Sequence, residues 1–187
     1  MNQTAIVSGS LASLARQNNT SIAESFLNAD VIVIVDVSGS MNQSDARNGQ
    51  RRYDVACQEL ARLQRELPGK IAVVAFSDHA EFAPGGVPPY SGAGTNLAGA
   101  LQFVKVADGL VKFVVISDGI PDDEERALAT ARQFQSKIHT IYVGPEDDFG
   151  GGRRFLEKLA ATSGGQFTTS DRAHELADKT RRLLLTA

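Results

Sequence analysis

The sequence predicts an α/β fold: a doubly wound, mostly parallel sheet with one short antiparallel edge strand and helices on both faces. Three observations predict it. Four short runs, Val31–Val35, Ile71–Phe76, Val111–Ile116 and Ile138–Val143, are rich in β-branched residues and apolar at nearly every position. Strands apolar on both sides belong in a sheet that helices cover from both faces. Helical spacing of apolar residues recurs between these runs, and strand alternating with helix is the pattern of parallel βαβ units.

Each element follows in order. Residues 1–28 form a helical extension of one or two short helices, Ser10–Arg16 and Ser21–Leu27, with Thr20 or Ser21 as N-cap and Glu24 near the third helical position resembling a capping box. Residues 29–187 form the main domain. After the first strand, Tyr53, Ala56, Cys57, Leu60, Leu63 and Leu67 share one helical face, and Pro68-Gly69 ends that helix. The short alternating segment His79–Ala83 suits an antiparallel edge strand beside the second run, and Pro84–Gly94 reads as a loop. Leu97, Ala100, Leu101 and Val104 mark a helix over Asn96–Val106. The helix from Asp122 to Phe134 opens with four acidic residues, which suit the positive end of a helix dipole. Phe155, Leu156, Leu159 and Ala160 mark the next helix, ended by Gly164-Gly165; Leu176, Leu183 and Leu184 mark the last.

Composition removes several function classes. The chain has 187 residues, a formal charge of −3 and a single cysteine. One cysteine rules out an internal disulfide and any multi-cysteine zinc site. An acidic balance lacks the cationic surplus needed to displace phosphate counterions, so no nucleic-acid role is expected. No apolar run approaches the roughly 20 residues of a membrane span. The amino-terminal stretch has no basic residue before Arg16 and no sustained apolar region, unlike a secretory signal. The expected location is cytoplasmic, with no membrane partner.

In a doubly wound sheet, ligands bind beyond the carboxyl ends of the strands. Three segments fall there: Asp36-Val-Ser38-Gly-Ser40, Gly92-Ala-Gly94-Thr95-Asn96-Leu97 and Ser117-Asp118-Gly119. Asp36, Ser38 and Ser40 alternate along a chain leaving a strand, so their side chains can share one side. Gly39 permits the turn between the two serines. Thr95 adds a third hydroxyl and Asp118 a second carboxylate. Hard oxygen donors of this kind select Mg²⁺, Mn²⁺ or Ca²⁺ over zinc or copper. Five oxygens from three loops suit an octahedral Mg²⁺ that keeps some of its waters.

Taken in order at the ends of these elements, the three motifs resemble the metal-ion-dependent adhesion site of the von Willebrand factor A family. The resemblance covers about residues 29–186. It implies that Ser38, Ser40 and Thr95 are hydroxyl ligands, and that Asp36 and Asp118 hold the metal's waters. It also implies that a partner protein supplies an Asp or Glu carboxylate to complete the coordination, and that Thr95 draws closer when it does. By the same resemblance, small intracellular members work in multi-protein assemblies, in some cases beside an AAA+ ATPase. The function expected is therefore divalent-cation-dependent protein binding, not catalysis.

Two other classes compete with this reading. One is a Mg²⁺-dependent phosphotransfer or phosphohydrolase enzyme; the other is a scaffold whose metal is purely structural. A dehalogenase-type hydrolase would carry Asp-x-Asp where this chain has Asp36-Val-Ser38, and a receiver domain would carry a late Lys where Val143 leads into Gly144-Pro145. No nucleophile–base pair is visible. The remaining polar features have plain readings. Cys57 belongs to an apolar helix face as an inert core residue, and His139 to a buried strand. His79, His174, Arg51-Arg52, Arg153-Arg154 and the acidic run 122–125 read as solvated surface. Pro88-Pro89-Tyr90 reads as loop, and Gly150-Gly151-Gly152 as a mobile connection without the Lys-Ser/Thr of a phosphate-binding loop.

Overall fold

A computed structural model describes residues 6–147 and 150–172. Helices α1 (Leu11–Asn18) and α2 (Ile22–Leu27) precede strand β1 (Val31–Asp36). Helix α3 (Arg52–Glu66), β2 (Ile71–Phe76) and β3 (Ala80–Phe82) follow, then α4 (Leu97–Val104), β4 (Lys112–Ser117) and α5 (Glu124–Ala131). Strand β5 (Ile138–Tyr142), α6 (Gly152–Thr162) and β6 (Phe167–Thr169) complete the α-helices and strands described, and short 3-10 turns lie between some of them and after β6. The expected last helix and His174 lie outside the described residues. None of the helices described is long and apolar enough to cross a membrane.

The six strands lie in the order β3-β2-β1-β4-β5-β6, all parallel except the β2–β3 pair. Val31 to Asp36 pair in register with Ile71 to Phe76 on one side, and Val31 to Val35 with Lys112 to Ile116 on the other. β1 is thus central, and the chain runs outward from it in both directions. The strand order reverses between β1 and β4, which opens a crevice at their carboxyl ends.

Alternation along the strands divides the core into two layers. Ile32, Ile34, Ala72, Val74, Phe113 and Val115 pack with α4, α5 and α6. Val31, Val33, Val35, Ile71, Val73, Val114 and Ile116 face Val55, Ala56, Leu60 and Leu63 of α3. Every residue of β1 and β2 is buried. Each Val or Ile side chain so enclosed contributes about 1.5–3 kcal/mol relative to exposure, which anchors the two strands that carry the crevice.

The α1–α2 extension closes the antiparallel edge. Ser10 caps α1 by accepting from Ser13 N (3.2 Å), and Ser21 with Glu24 forms the expected capping box on α2. Val7 N donates to Gly85 O and Ala12 N to Pro84 O, so the extension lies along the segment that follows β3. Phe26 meets Phe82 edge to face at 5.5 Å. These contacts cover backbone beyond a strand that would otherwise be an open edge.

Two elements differ from the sequence expectation. β6 was not foreseen, because Phe-Thr-Thr is too short and polar to read as a strand; it gains its place by pairing with Thr140–Tyr142. The buried face of α3 is rotated from the expected one. Val55, Ala56, Leu60 and Leu63 point inward together with Arg52, Glu59 and Gln64, while Tyr53 and Cys57 are only half-buried. On that face Glu59 pairs with Arg62 (3.0 Å) and Arg47 (3.6 Å), and Gln64 donates to Gly86 O (3.0 Å) while its Oε1 is buried without a hydrogen-bond partner among the described residues. His139 is buried as expected and accepts from Gln166 N (3.2 Å).

Candidate metal centre

Asp36 ends β1 and Ser117 ends β4, so the parallel pairing sets their side chains next to one another at the switch point. Asp36 is fully buried. Its Oδ1 accepts from Ser38 N at 2.9 Å, a local Asx bond that turns the chain sharply out of the strand. Its Oδ2 accepts from Ser117 Oγ at 2.6 Å, and Ser117 Oγ accepts in turn from Gly119 N at 2.8 Å. Both strand ends are thereby tied to one carboxylate.

The turn brings Ser38 and Ser40 together, with Oγ atoms 3.2 Å apart. Ser38 is buried and Ser40 half-buried. Gly39 is favoured by proximity, not by an unusual φ: a Cβ there would crowd Gly92 O at 3.2 Å, and Gly39 N donates to Ala93 O at 2.8 Å. Val37 O accepts from Gly92 N (3.0 Å), so the 91–95 loop lies directly across the serine turn.

Thr95 reaches the site on that loop. Its backbone is fixed from several sides: Thr95 N donates to both oxygens of Asp122 (3.0 Å each), and Asp122 N returns a bond to Thr95 O (3.0 Å). Asp78 Oδ1 accepts from Gly94 N (2.9 Å), and Asn96 caps α4 by accepting from Gly99 N (2.9 Å). Thr95 is buried, and its hydroxyl takes part in no hydrogen bond among the described residues. Asp122 is therefore not only a solvated helix start; it braces the threonine loop.

Asp118 stands just beyond β4 and is buried. The following Gly119 has φ +80° and lies so close to Gly152 that a Cβ would collide with its carbonyl oxygen. Asp118 Oδ2 accepts from Arg52 Nη1 at 2.7 Å. Its Oδ1 is buried and has no hydrogen-bond partner. A carboxylate oxygen in that state is costly unless a cation or a donor reaches it. The two carboxylates also act on each other: burial, then the charge of Asp118, pushes the Asp36 pKa up to about 6. The hydrogen bonds from Ser117 and Ser38 oppose this only in part.

Arg52 corrects the reading of Arg51-Arg52 as solvated. Arg51 does lie outside, bonded to Asp54 through Nη2 at 2.6 Å. Arg52 is buried, and besides Asp118 it donates from Nε to Asp45 Oδ1 (2.7 Å), and from Nη2 to Asp45 Oδ2 (2.6 Å) and Gln43 Oε1 (2.7 Å). Burial disfavours its charge, but the bonds to Asp45 and Asp118 raise its pKa overall. Dibasic spacing at a helix start carries no sign of which residue turns inward.

The donor set fits a hard divalent cation. Asp36, Ser38, Ser40 and Asp118 gather at the end of β1 and β4, and the loop bearing Thr95 is pinned across them. An oxygen-only set containing one orphaned carboxylate oxygen matches Mg²⁺, Mn²⁺ or Ca²⁺. Among the described residues, no group of three or more His, Cys, Asp or Glu side chains gathers to hold a metal ion, here or elsewhere; the candidate set combines two carboxylates with three hydroxyls.

No family model and no curated protein matches the sequence. Solved structures do match the fold. An aerotolerance-related membrane protein from Bacteroides fragilis superposes with a TM-score of 0.67 at 15% identity, over 82% of this chain and 98% of that one. The vWF domain of a type V pili tip protein from Porphyromonas gingivalis gives 0.61 at 12% identity, over 84% and 95%. The manganese-loaded TRAP protein of Plasmodium vivax gives 0.52 at 16% identity, over 78% and 70%. The chain has the fold of von Willebrand factor A-type domains, a Rossmann-like α/β sheet with one antiparallel edge strand.

Proposed function

We propose that this chain is a von Willebrand factor A-type binding module that recruits a protein partner through a divalent cation. Ser38, Ser40 and Thr95 would supply hydroxyl oxygens to the ion, and Asp36 and Asp118 would hold its waters or approach it directly. The observation that carries this reading is the buried Asp118 Oδ1, left without a donor beside a second buried carboxylate and two facing hydroxyls. Mg²⁺ is the proposed ion, with Mn²⁺ and Ca²⁺ as alternatives of the same hard class. When bound, the ion supplies Lewis-acid positive charge toward its open position, which suits an Asp or Glu side chain of the partner.

The chain's own residues do the remaining work. Asp36 ties together the ends of β1 and β4, the bonds from Gly39 and Gly92 hold the serine turn against the threonine loop, and Asp122 fixes Thr95 from behind. The hydroxyl and carboxylate oxygens are held as a cluster of ion donors, and this supports reading the site as binding. The manganese in the Plasmodium vivax structure supports a divalent ion in this fold, and the pili tip protein supports a role in assembly. We place this protein in a cytoplasmic multi-protein assembly, with an AAA+ ATPase as one class of partner.

The test is affinity capture from the native host in Mg²⁺ and in EDTA, with Asp36→Ala as control, read by mass spectrometry. Partners retained in Mg²⁺ and lost in both EDTA and the variant support the reading. A partner set indifferent to chelation and to the variant overturns it.

A further inference from the structure

We propose that Arg52 is a resident counter-cation to the Asp36–Asp118 carboxylate pair: fixed against Asp118 Oδ2 by its bonds to Asp45 and Gln43, it holds the centre together without metal and weakens the centre's grip on a divalent ion. This inference rests on the reading of the site as a metal centre. It concerns a residue outside the ligand set, a positioning residue that acts through Asp118.

The guanidinium is held on several sides. Nη1 reaches Asp118 at 2.7 Å, while Nε and Nη2 make a bidentate pair with Asp45 and Nη2 also meets Gln43. A planar fork bonded in this way stays where it is. Its side chain is 7% exposed, that of Asp118 is 1% exposed and that of Asp45 is 40% exposed. The charge of Arg52 therefore acts mainly inward, on a dry carboxylate, while half-solvated Asp45 screens it from behind.

Two consequences follow for the same centre. Two buried carboxylates side by side without a cation repel one another; Arg52 offsets one of them, so the strand ends need not separate when the ion leaves. A divalent ion entering beside Asp118 meets a fixed positive charge across that carboxylate, and so binds less tightly than at a bare pair. Arg52 also takes one Asp118 oxygen and leaves the other, Oδ1, without a partner. An ion held by mostly neutral hydroxyls near a fixed cation keeps more positive charge for an incoming carboxylate. Exchangeable metal and a strong demand for a carboxylate then come from one residue.

The experiment is calorimetric titration of Mg²⁺ and Mn²⁺ into chelator-treated wild type, Arg52→Met, Arg52→Lys and Asp45→Asn, with thermal melting of each in EDTA. Arg52→Met is expected to bind Mg²⁺ about tenfold more tightly or better, yet to melt lower than wild type in EDTA. Arg52→Lys keeps the charge and should restore affinity to near the wild-type value. Asp45→Asn, at a half-exposed position, strips the outer screen and should weaken Mg²⁺ binding about threefold. If Arg52 merely orients Asp118, Arg52→Met binds Mg²⁺ less tightly, and that result overturns the proposal. Should Arg52→Met fail to fold, Asp45→Asn decides: unchanged or tighter binding refutes the counter-cation role. Wild type that binds neither ion overturns the metal-centre reading itself, whereas wild type that binds while the variants do not shift overturns only the role of Arg52.

Discussion

Replacing Asp36 by Asn should stabilise the protein in chelator and destabilise it, relative to wild type, in Mg²⁺. Burial and the neighbouring Asp118 raise the Asp36 pKa from 3.8 to about 6. A folded value above the unfolded one means stability that is fully present below 3.8 and lost as pH rises through 6. At pH 7.5 without metal, ionised Asp36 therefore costs about 3 kcal/mol. Asn removes the charge and keeps the shape, but weakens the bonds from Ser38 N and Ser117 Oγ by about 1–1.5 kcal/mol. The balance favours the variant by about 1.5–2 kcal/mol, or about 3–8 °C in melting temperature for a chain of this size. In Mg²⁺ at a hundred times its dissociation constant, wild type gains about 2.7 kcal/mol that a variant without the carboxylate lacks, and the order reverses. At pH 5 in EDTA the advantage of the variant shrinks, because wild-type Asp36 is then largely protonated. Differential scanning calorimetry at both pH values, with EDTA and with Mg²⁺, measures all four differences. A variant less stable than wild type in EDTA at pH 7.5, or a gap that ignores pH, would refute the reasoning.

The remaining predictions concern the scaffold. Gly119→Ala forces a Cβ at φ +80° onto the Gly152 carbonyl and should cost about 3 kcal/mol or more, seen as a lower urea midpoint. Phe113→Ala empties a fully buried ring site that meets Phe134 edge to face at 5.1 Å, at a cost of about 3–5 kcal/mol by chemical denaturation. Ser21→Ala removes the side-chain half of the α2 capping box, the bond from Glu24 N, for about 1 kcal/mol, and faster amide exchange should be confined to residues near that helix start. His139 has its pKa lowered, by burial first and then by Lys137 and Lys112, so its contribution is present above pH 6.5 and lost as pH falls below its folded value. The stability gap between wild type and His139→Gln should therefore narrow on acidification from pH 7.5 to 5.

What the sequence showed and what it hid have different physical origins. β1, β2, β4 and β5 were legible because a strand covered on both faces has nowhere to place a polar side chain. The five oxygen-bearing residues were legible because they sit at element ends, where chain order alone assigns them to one edge of the sheet. β6 was hidden because three residues carry no periodicity, and only pairing with β5 makes them a strand. Arg52, Glu59 and Gln64 were hidden for a stronger reason. Hydropathy assigns charge to solvent, and the partners that reverse this for Arg52 lie at Asp45 in the preceding loop and at Asp118, 66 residues away. A long-range ion pair of this kind is invisible to any local window, yet it is what a pair of buried carboxylates demands. Once Asp36 and Asp118 are placed at adjoining strand ends, some cation must stand near them. Helix α3, the first α-helix after the serine turn in the chain, delivers one in Arg52 at its first position. The inward turn of Arg52 satisfies Asp45, Gln43 and one oxygen of Asp118 at once. Its charge is the part of the centre that the motif alone does not contain.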